Sequence, residues 1–206
     1  MEWRFLSEKT LDVAGHRCRA FYSVASGVPV VFFHGFSYTS GVWQRISVTE
    51  LLTEKQLPFM ALDMPYGMKS DCKPKTHNLE TNVNVAHEAI KSVFGSAVPV
   101  LVGASAGGNV ALSYAVRFPV KGLLLVAPGR ALEKSLSQAY GTFRFPVRII
   151  WGSKDNIVSG ENMRVLAGLL PNAKLVVYES AGHSAYLAQP ERFKRDLLEL
   201  YALAEQ

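Results

Sequence analysis

The chain has few cysteines, no block of basic residues and no long apolar run, and each absence excludes something. Its 206 residues include two cysteines, Cys18 and Cys72, far apart and with no C-x-x-C spacing. That pattern reads as two reduced thiols and calls for neither a disulfide framework nor a metal. No stretch approaches the roughly 20 apolar residues of a helical membrane span; even residues 120–127 are only strand-length. The first ten residues, MEWRFLSEKT, carry charges where a secretory leader would have its apolar core, so a cytoplasmic protein is expected. The net charge is +5, but the densest basic stretch, 192–195, is interrupted by Phe193. It reads as a solvated helix face and argues against a nucleic-acid partner. No interface stripe stands out, which leaves a monomer as the default.

What is present suits a globular fold. Apolar residues make up 49% and charged residues 19% of the chain, enough for a substantial core and too apolar for disorder. The length suits one domain over residues 1–206. Strand and helix patterns alternate. Residues 3–10 and 17–23 read as a hairpin turning at Ala14-Gly15. The continuous apolar run at 28–33 reads as a central strand buried on both faces, and 58–63, 98–102, 122–126, 146–151 and 173–178 read as further short strands. Helical patterns fall at 42–55, 79–94, from 105, 131–140, 161–170 and from Pro190, with Phe193, Leu197, Leu200 and Tyr201 inward. The expected class is α/β: a mostly parallel sheet with helices on both faces and an antiparallel N-terminal hairpin.

Residues 98–112, VPVLVGASAGGNVAL, carry the most chemical information. An apolar strand runs into Gly103-Ala104-Ser105-Ala106-Gly107 and then into a helix. G-x-S-x-G in strand–turn–helix context is the setting of a nucleophile elbow, in which a tight turn lifts a serine hydroxyl off the end of a sheet. In a parallel sheet, ligands bind beyond the carboxyl ends of the strands. The other candidates fall there too: His34-Gly35-Phe36 after 28–33, Asp155 after 146–151, and His183 after 173–178. Ser105 reads as nucleophile, His183 as its base, and Asp155 as the carboxylate that holds the second imidazole nitrogen. Asp63, also just past a strand, is the alternative acid. His16, His77 and His87 read as surface or helix residues without a role. Trp43 reads as core.

The order Ser, Asp, His, together with VVFFHGF, LDMPYGMKS, GASAGGNVAL, IIWGSKDNIV and AGHSAYLAQPERF, resembles the α/β-hydrolase superfamily over nearly the whole chain. The resemblance implies an oxyanion hole built from the backbone N–H groups of Ala106 and Phe36, with His34 orienting that loop. It implies no metal and no organic cofactor. Two departures stand out. The Asp-x-Pro-Gly-x-Gly-x-Ser stretch of many relatives is here Asp63-Met64-Pro65-Tyr66-Gly67-Met68-Lys69-Ser70, so Tyr66 and Met68 become candidate pocket residues. About twenty residues separate the strands at 122–126 and 146–151, too few for the helical cap domain of many relatives. Within them Ala131, Leu132, Leu136 and Tyr140 could form an apolar wall.

A compact, capless serine hydrolase of the carboxylesterase type is therefore expected, cleaving small or short-chain acyl esters or thioesters through an acyl-enzyme on Ser105. An acyltransferase or perhydrolase using the same triad, and a non-catalytic interaction protein on this scaffold, are the alternatives.

Overall fold

The computed structural model describes residues 7–206. Among these residues the centre is a nine-stranded sheet. The strands are β1 (Ser7–Val13), β2 (His16–Ser23), β3 (Val30–Phe33), β4 (Phe59–Leu62), β5 (Cys72–Lys73), β6 (Val100–Ala104), β7 (Gly122–Val126), β8 (Val147–Gly152) and β9 (Ala173–Tyr178). The order across the sheet is β1-β2-β4-β3-β6-β7-β8-β9, with β5 pairing β2 beside β4. β4, β3, β6, β7, β8 and β9 run parallel, while β1 and β2 form an antiparallel hairpin and β2 meets β4 antiparallel. The hairpin turns at Ala14 and Gly15, both at positive φ. Positions 3–6 of the expected first strand lie outside the described residues; the described part continues to Val13.

Eight α-helices cover the two faces among the described residues: α1 (Gly41–Arg45), α2 (Val48–Glu54), α3 (Leu79–Phe94), α4 (Ala106–Arg117), α5 (Lys134–Ser137), α6 (Gly160–Leu169), α7 (Ala185–Ala188) and α8 (Pro190–Ala204). Alternate strand residues divide the core between them. Val31, Phe33, Leu101, Leu123 and Leu125 pack under α3, α4 and α6. Val30, Phe32, Val102, Leu124 and Val126 pack under α1, α2, α7 and α8. A strand buried on both faces needs apolar residues at every position, which is why these segments read as unbroken apolar runs. α8 buries Phe193, Leu197, Leu200 and Tyr201. Trp43 is fully buried and stacks on Tyr186 and Phe193, 5.0 and 5.8 Å away.

Several expectations need correction. The helix expected over 42–55 is two helices, because Ser47 takes a left-handed conformation (φ 55°, ψ 28°) that no helix continues through. Of the expected helix over 131–140, only Lys134–Ser137 is α-helical, followed by a 3₁₀ turn at Tyr140–Thr142. His16 is a nearly buried strand residue whose Nδ1 donates to the Ala14 carbonyl at 3.0 Å, not a surface or helix residue. The two cysteines are not free thiols. The short strand β5 lies beside β2 with Cys72 in register with Cys18, and a disulfide joins them. Strand pairing brings together residues that sequence separation keeps far apart.

Candidate active site

Ser105 sits between the end of β6 and the start of α4 with φ 51° and ψ −112°, a strained combination for a residue with a side chain. The surroundings hold it there. Its N–H donates to the Val126 carbonyl of β7 at 2.9 Å, and its carbonyl accepts from the N–H groups of Gly108, Gly129 and Asn109 at 3.0, 3.1 and 3.3 Å. The flanking glycines follow from close approach. A Cβ on Gly103 would overlap the Gly107 carbonyl, and a Cβ on Gly107 would overlap the Phe33 carbonyl of β3. The α4 helix can meet the strand ends only where no side chain intervenes.

Asp155 follows β8 in a tight turn. One carboxylate oxygen accepts from the Ile157 and Val158 N–H groups at 2.8 and 3.0 Å. The other accepts from His183 Nδ1 at 2.8 Å. The Asp155 side chain is fully buried and that of His183 is 18% exposed. A carboxylate only accepts, so this bond places a proton on Nδ1 and turns Nε2 away from Asp155. The loop after β9 that carries His183 is fastened to the loop after β8: Ser153 N–H donates to the Tyr178 carbonyl, Lys154 N–H to that of Ala181, and Ser180 N–H to Ser153 Oγ. The Tyr38 hydroxyl lies 3.3 Å from Ser184 Oγ, tying the loop after β3 to the same corner.

The loop after β3 rests on His34, which is fully buried. Its Nδ1 donates to the Gly35 carbonyl at 2.8 Å and its Nε2 accepts from the Met64 N–H at 3.0 Å. Burial lowers its pKa, outweighing the opposing pull of the Gly35 carbonyl and Asp63, so the ring is neutral. Asp63, the alternative acid, is a buried anchor. Its carboxylate pairs with Arg19 at 3.0 Å and accepts from the N–H groups of Ser40 and Asp71. These partners lie on β2 and in neighbouring loops, and Asp63 has no bond to His183. Phe36 is tied to the following loop through its carbonyl, which accepts from the Met68 N–H at 2.8 Å. Ala106 is the first residue of α4, so its N–H is one of the donors a helix leaves open at its start.

Two cavities meet at Ser105, and Phe36 and Ser105 line both. The first, about 250 Å³, contains His183 with Tyr38, Ile157, Ser184 and Tyr186. The second, about 260 Å³, runs along α4 and is lined by Ala106, Asn109 and Val110 with Tyr66, Leu79 and Arg130. Tyr66 therefore lines a cavity while its hydroxyl donates to the His34 carbonyl, and burial pushes its phenol pKa well up. The other expected pocket residues lie elsewhere. Met68 is 58% exposed and lines neither cavity. Leu136 is buried in the core and Leu132 packs against it, and α5 lies against α4 and the 3₁₀ turn that follows it. Asn109 and Ile157 line these cavities without a motif of their own; the only signal in the sequence is position, one four residues after Ser105 and the other two after Asp155.

Comparison with known proteins agrees with this architecture. A family model described as "Alpha/beta hydrolase family" matches residues 30–148, and a second, "alpha/beta hydrolase fold", matches 130–190. Human ABHD14A is 28% identical over 176 residues, covering 84% of this chain and 64% of that protein. The chain thus spans a little under two thirds of that relative. The rat "Putative protein-lysine deacylase ABHD14B" is 26% identical over 202 residues, covering 94% of this chain and 95% of that one. Among solved structures, a "predicted CIB-like hydrolase" from Thermoplasma acidophilum superposes with a TM-score of 0.84 at 26% identity, covering 95% of this chain and 97% of that one. An esterase from Exiguobacterium antarcticum, at 17% identity and a TM-score of 0.80 over 95% of this chain and 100% of that one, shares the fold. With more than half of its length matched by the family model and the same sheet and helix arrangement, the chain belongs to the alpha/beta hydrolase family.

Proposed function

We propose that this protein is a serine hydrolase that cleaves small acyl esters or thioesters through an acyl-enzyme on Ser105. The observation that carries this reading is the 2.8 Å bond from Asp155 to His183 Nδ1 beside a cavity shared by His183 and Ser105. A serine hydroxyl is a poor nucleophile until a base takes its proton, and an imidazole oriented by a buried carboxylate does so near neutral pH.

The reaction runs in two halves. Ser105 Oγ attacks the acyl carbonyl carbon while His183 Nε2 takes its proton. The oxyanion faces the backbone N–H groups of Ala106 and Phe36, donors worth about 3–4 kcal/mol each in comparable sites. Collapse breaks the bond to the leaving oxygen or sulfur, which receives the proton from His183. Water then attacks the acyl-enzyme, His183 takes a water proton, and collapse frees the carboxylic acid and returns the proton to Ser105. The two cavities, about 250 and 260 Å³, suit small groups on either side of the scissile bond.

A fluorophosphonate probe tests this directly. It should label the wild-type chain and not Ser105→Ala, and p-nitrophenyl acetate and butyrate should be hydrolysed only by the former. Equal labelling of both proteins would defeat the proposal. The likeness to ABHD14B favours a second reading, an acyl-lysine amide as substrate for the same serine. An acetyl-lysine peptide turned over faster than the esters, again only with Ser105 present, would select it.

A further inference from the structure

The two cavities at Ser105 are not equivalent, and the difference assigns a role to Asn109. We infer that Asn109 selects acyl groups bearing a hydroxyl on their second or third carbon, making hydroxyacyl esters and thioesters the preferred substrates. The inference rests on Ser105 being the acylated residue.

The leaving group must take its proton from His183, so it occupies the cavity that contains His183. The acyl chain is left with the cavity along α4. Part of that lining offers an acyl chain only apolar or aromatic surface: Phe36, Tyr66, Leu79 and Val110. The polar side chains there are largely committed. Asn82 Oδ1 accepts from the Tyr66 N–H at 3.2 Å, and its Nδ2 donates to the carbonyls of Asn78 and Thr76 at 2.8 and 3.1 Å. The Tyr66 hydroxyl donates to His34. Arg130 is paired with Glu133. His77 is exposed and lies against Phe36, 5.9 Å between ring centres.

Asn109 differs. It is only 9% exposed, and its Oδ1 is buried without a hydrogen-bond partner among the described residues. A buried polar atom left unpaired is costly, and native structures rarely keep one without a use. Asn109 lies in the first turn of α4, its N–H donates to the Ser105 carbonyl at 3.3 Å, and the two residues line the same cavity. An acyl group bonded to Ser105 Oγ would carry its second and third carbons past this amide. The unpaired atom is an acceptor, so it needs a donor. A hydroxyl donates, whereas a keto oxygen or a carboxylate does not.

The test compares N-acetylcysteamine thioesters of butyrate, 2-hydroxybutyrate, 3-hydroxybutyrate and succinate, followed by thiol release. Wild type should favour a hydroxybutyryl thioester over butyryl by about tenfold in kcat/KM. Asn109→Leu should bring that ratio to about one, and Asn109→Ser, which keeps a hydroxyl in the cavity, should retain part of it. A ratio measured within one variant is unaffected by the fraction of protein that folds. The inference is overturned by a wild-type ratio of one or less, by a preference that survives Asn109→Leu, or by a stronger preference for the succinyl thioester. Ser105-dependent butyryl turnover without hydroxyl preference defeats the role of Asn109 alone. Absence of Ser105-dependent turnover and of fluorophosphonate labelling defeats the serine-hydrolase reading and this inference together.

Discussion

Asp155 divides its carboxylate between two tasks, holding His183 Nδ1 at 2.8 Å with one oxygen and closing its own turn onto Ile157 and Val158 with the other. The turn makes the carboxylate a fixed point rather than a mobile partner. Asp155→Asn keeps the size and the turn but can present an NH₂ group to His183, which favours the wrong tautomer. Under the proposed mechanism, turnover of p-nitrophenyl acetate should fall by about 10³–10⁴-fold while the circular dichroism spectrum is unchanged. A loss smaller than tenfold would mean that Asp155 is not the orienting acid.

The elbow glycines should separate cleanly from glycines elsewhere. Gly107→Ala forces a methyl group into the Phe33 carbonyl, with the His34 carbonyl only 2.7 Å from it. The expected cost is about 1–3 kcal/mol in denaturant unfolding, with loss of labelling at Ser105. Gly168, in α6, has open space around its Cβ position. Gly168→Ala should be neutral or stabilising by up to about 1 kcal/mol.

His34 supplies a pH dependence of stability. Burial depresses its folded pKa below the ordinary histidine value of 6.5. Asp63, 3.9 Å away, opposes the shift, while Lys75 and Arg19 add to it. Below pH 6.5 the unfolded chain therefore binds a proton that the folded chain resists, so stability is full above 6.5 and falls as the pH drops towards the folded value. The melting temperature of wild type should decline between pH 7 and 5. His34→Gln should melt lower throughout but with a shallower decline; an equal slope would assign the effect to other groups.

The Cys18–Cys72 link closes a loop of 54 residues between β2 and β5. A cross-link of that span restricts the unfolded chain by an amount worth about 4 kcal/mol in the chain-entropy model. Thiol titration in denaturant should find no free sulfhydryl before reduction and two after it. The reduced protein should unfold at lower denaturant concentration. Two titratable thiols without reductant would show that the pair is open.

The sequence disclosed the fold best where structure is local. Residues 79–94 form a helix with the expected bounds, because apolar residues recur at helical spacing and Asn78 caps the first turn by accepting from the Thr81 N–H. β7, β9 and the start of α8 match for similar reasons: apolar runs, interrupted in β9 by Lys174 alone, and a proline at the first helical position. Features that depend on a distant partner were illegible. β5 is two residues long and exists only because β2 lies beside it, and the disulfide follows from that pairing. The break at Ser47 and the inward set of Leu136 depend on how short helices pack, which periodicity does not encode. At the site, strand ends located Ser105, Asp155 and His183, since a parallel sheet gathers such positions at one edge. Pocket walls come from loops, whose side-chain directions no period announces.

Among the described residues, β9 is the outermost strand on its side of the sheet, hydrogen-bonded to β8 alone, and most of its residues are only half covered. It also carries, five residues past its end, the imidazole on which the proposed chemistry depends. An outer strand is the first to peel away on warming, because a single ladder retains it. Mild heat should therefore silence the protein while the inner strands remain intact: ester hydrolysis should fade several degrees before the far-ultraviolet circular dichroism does, and recover on cooling. The temperature range over which this protein works is on that account governed by the hold of its margin, not by the strength of its interior.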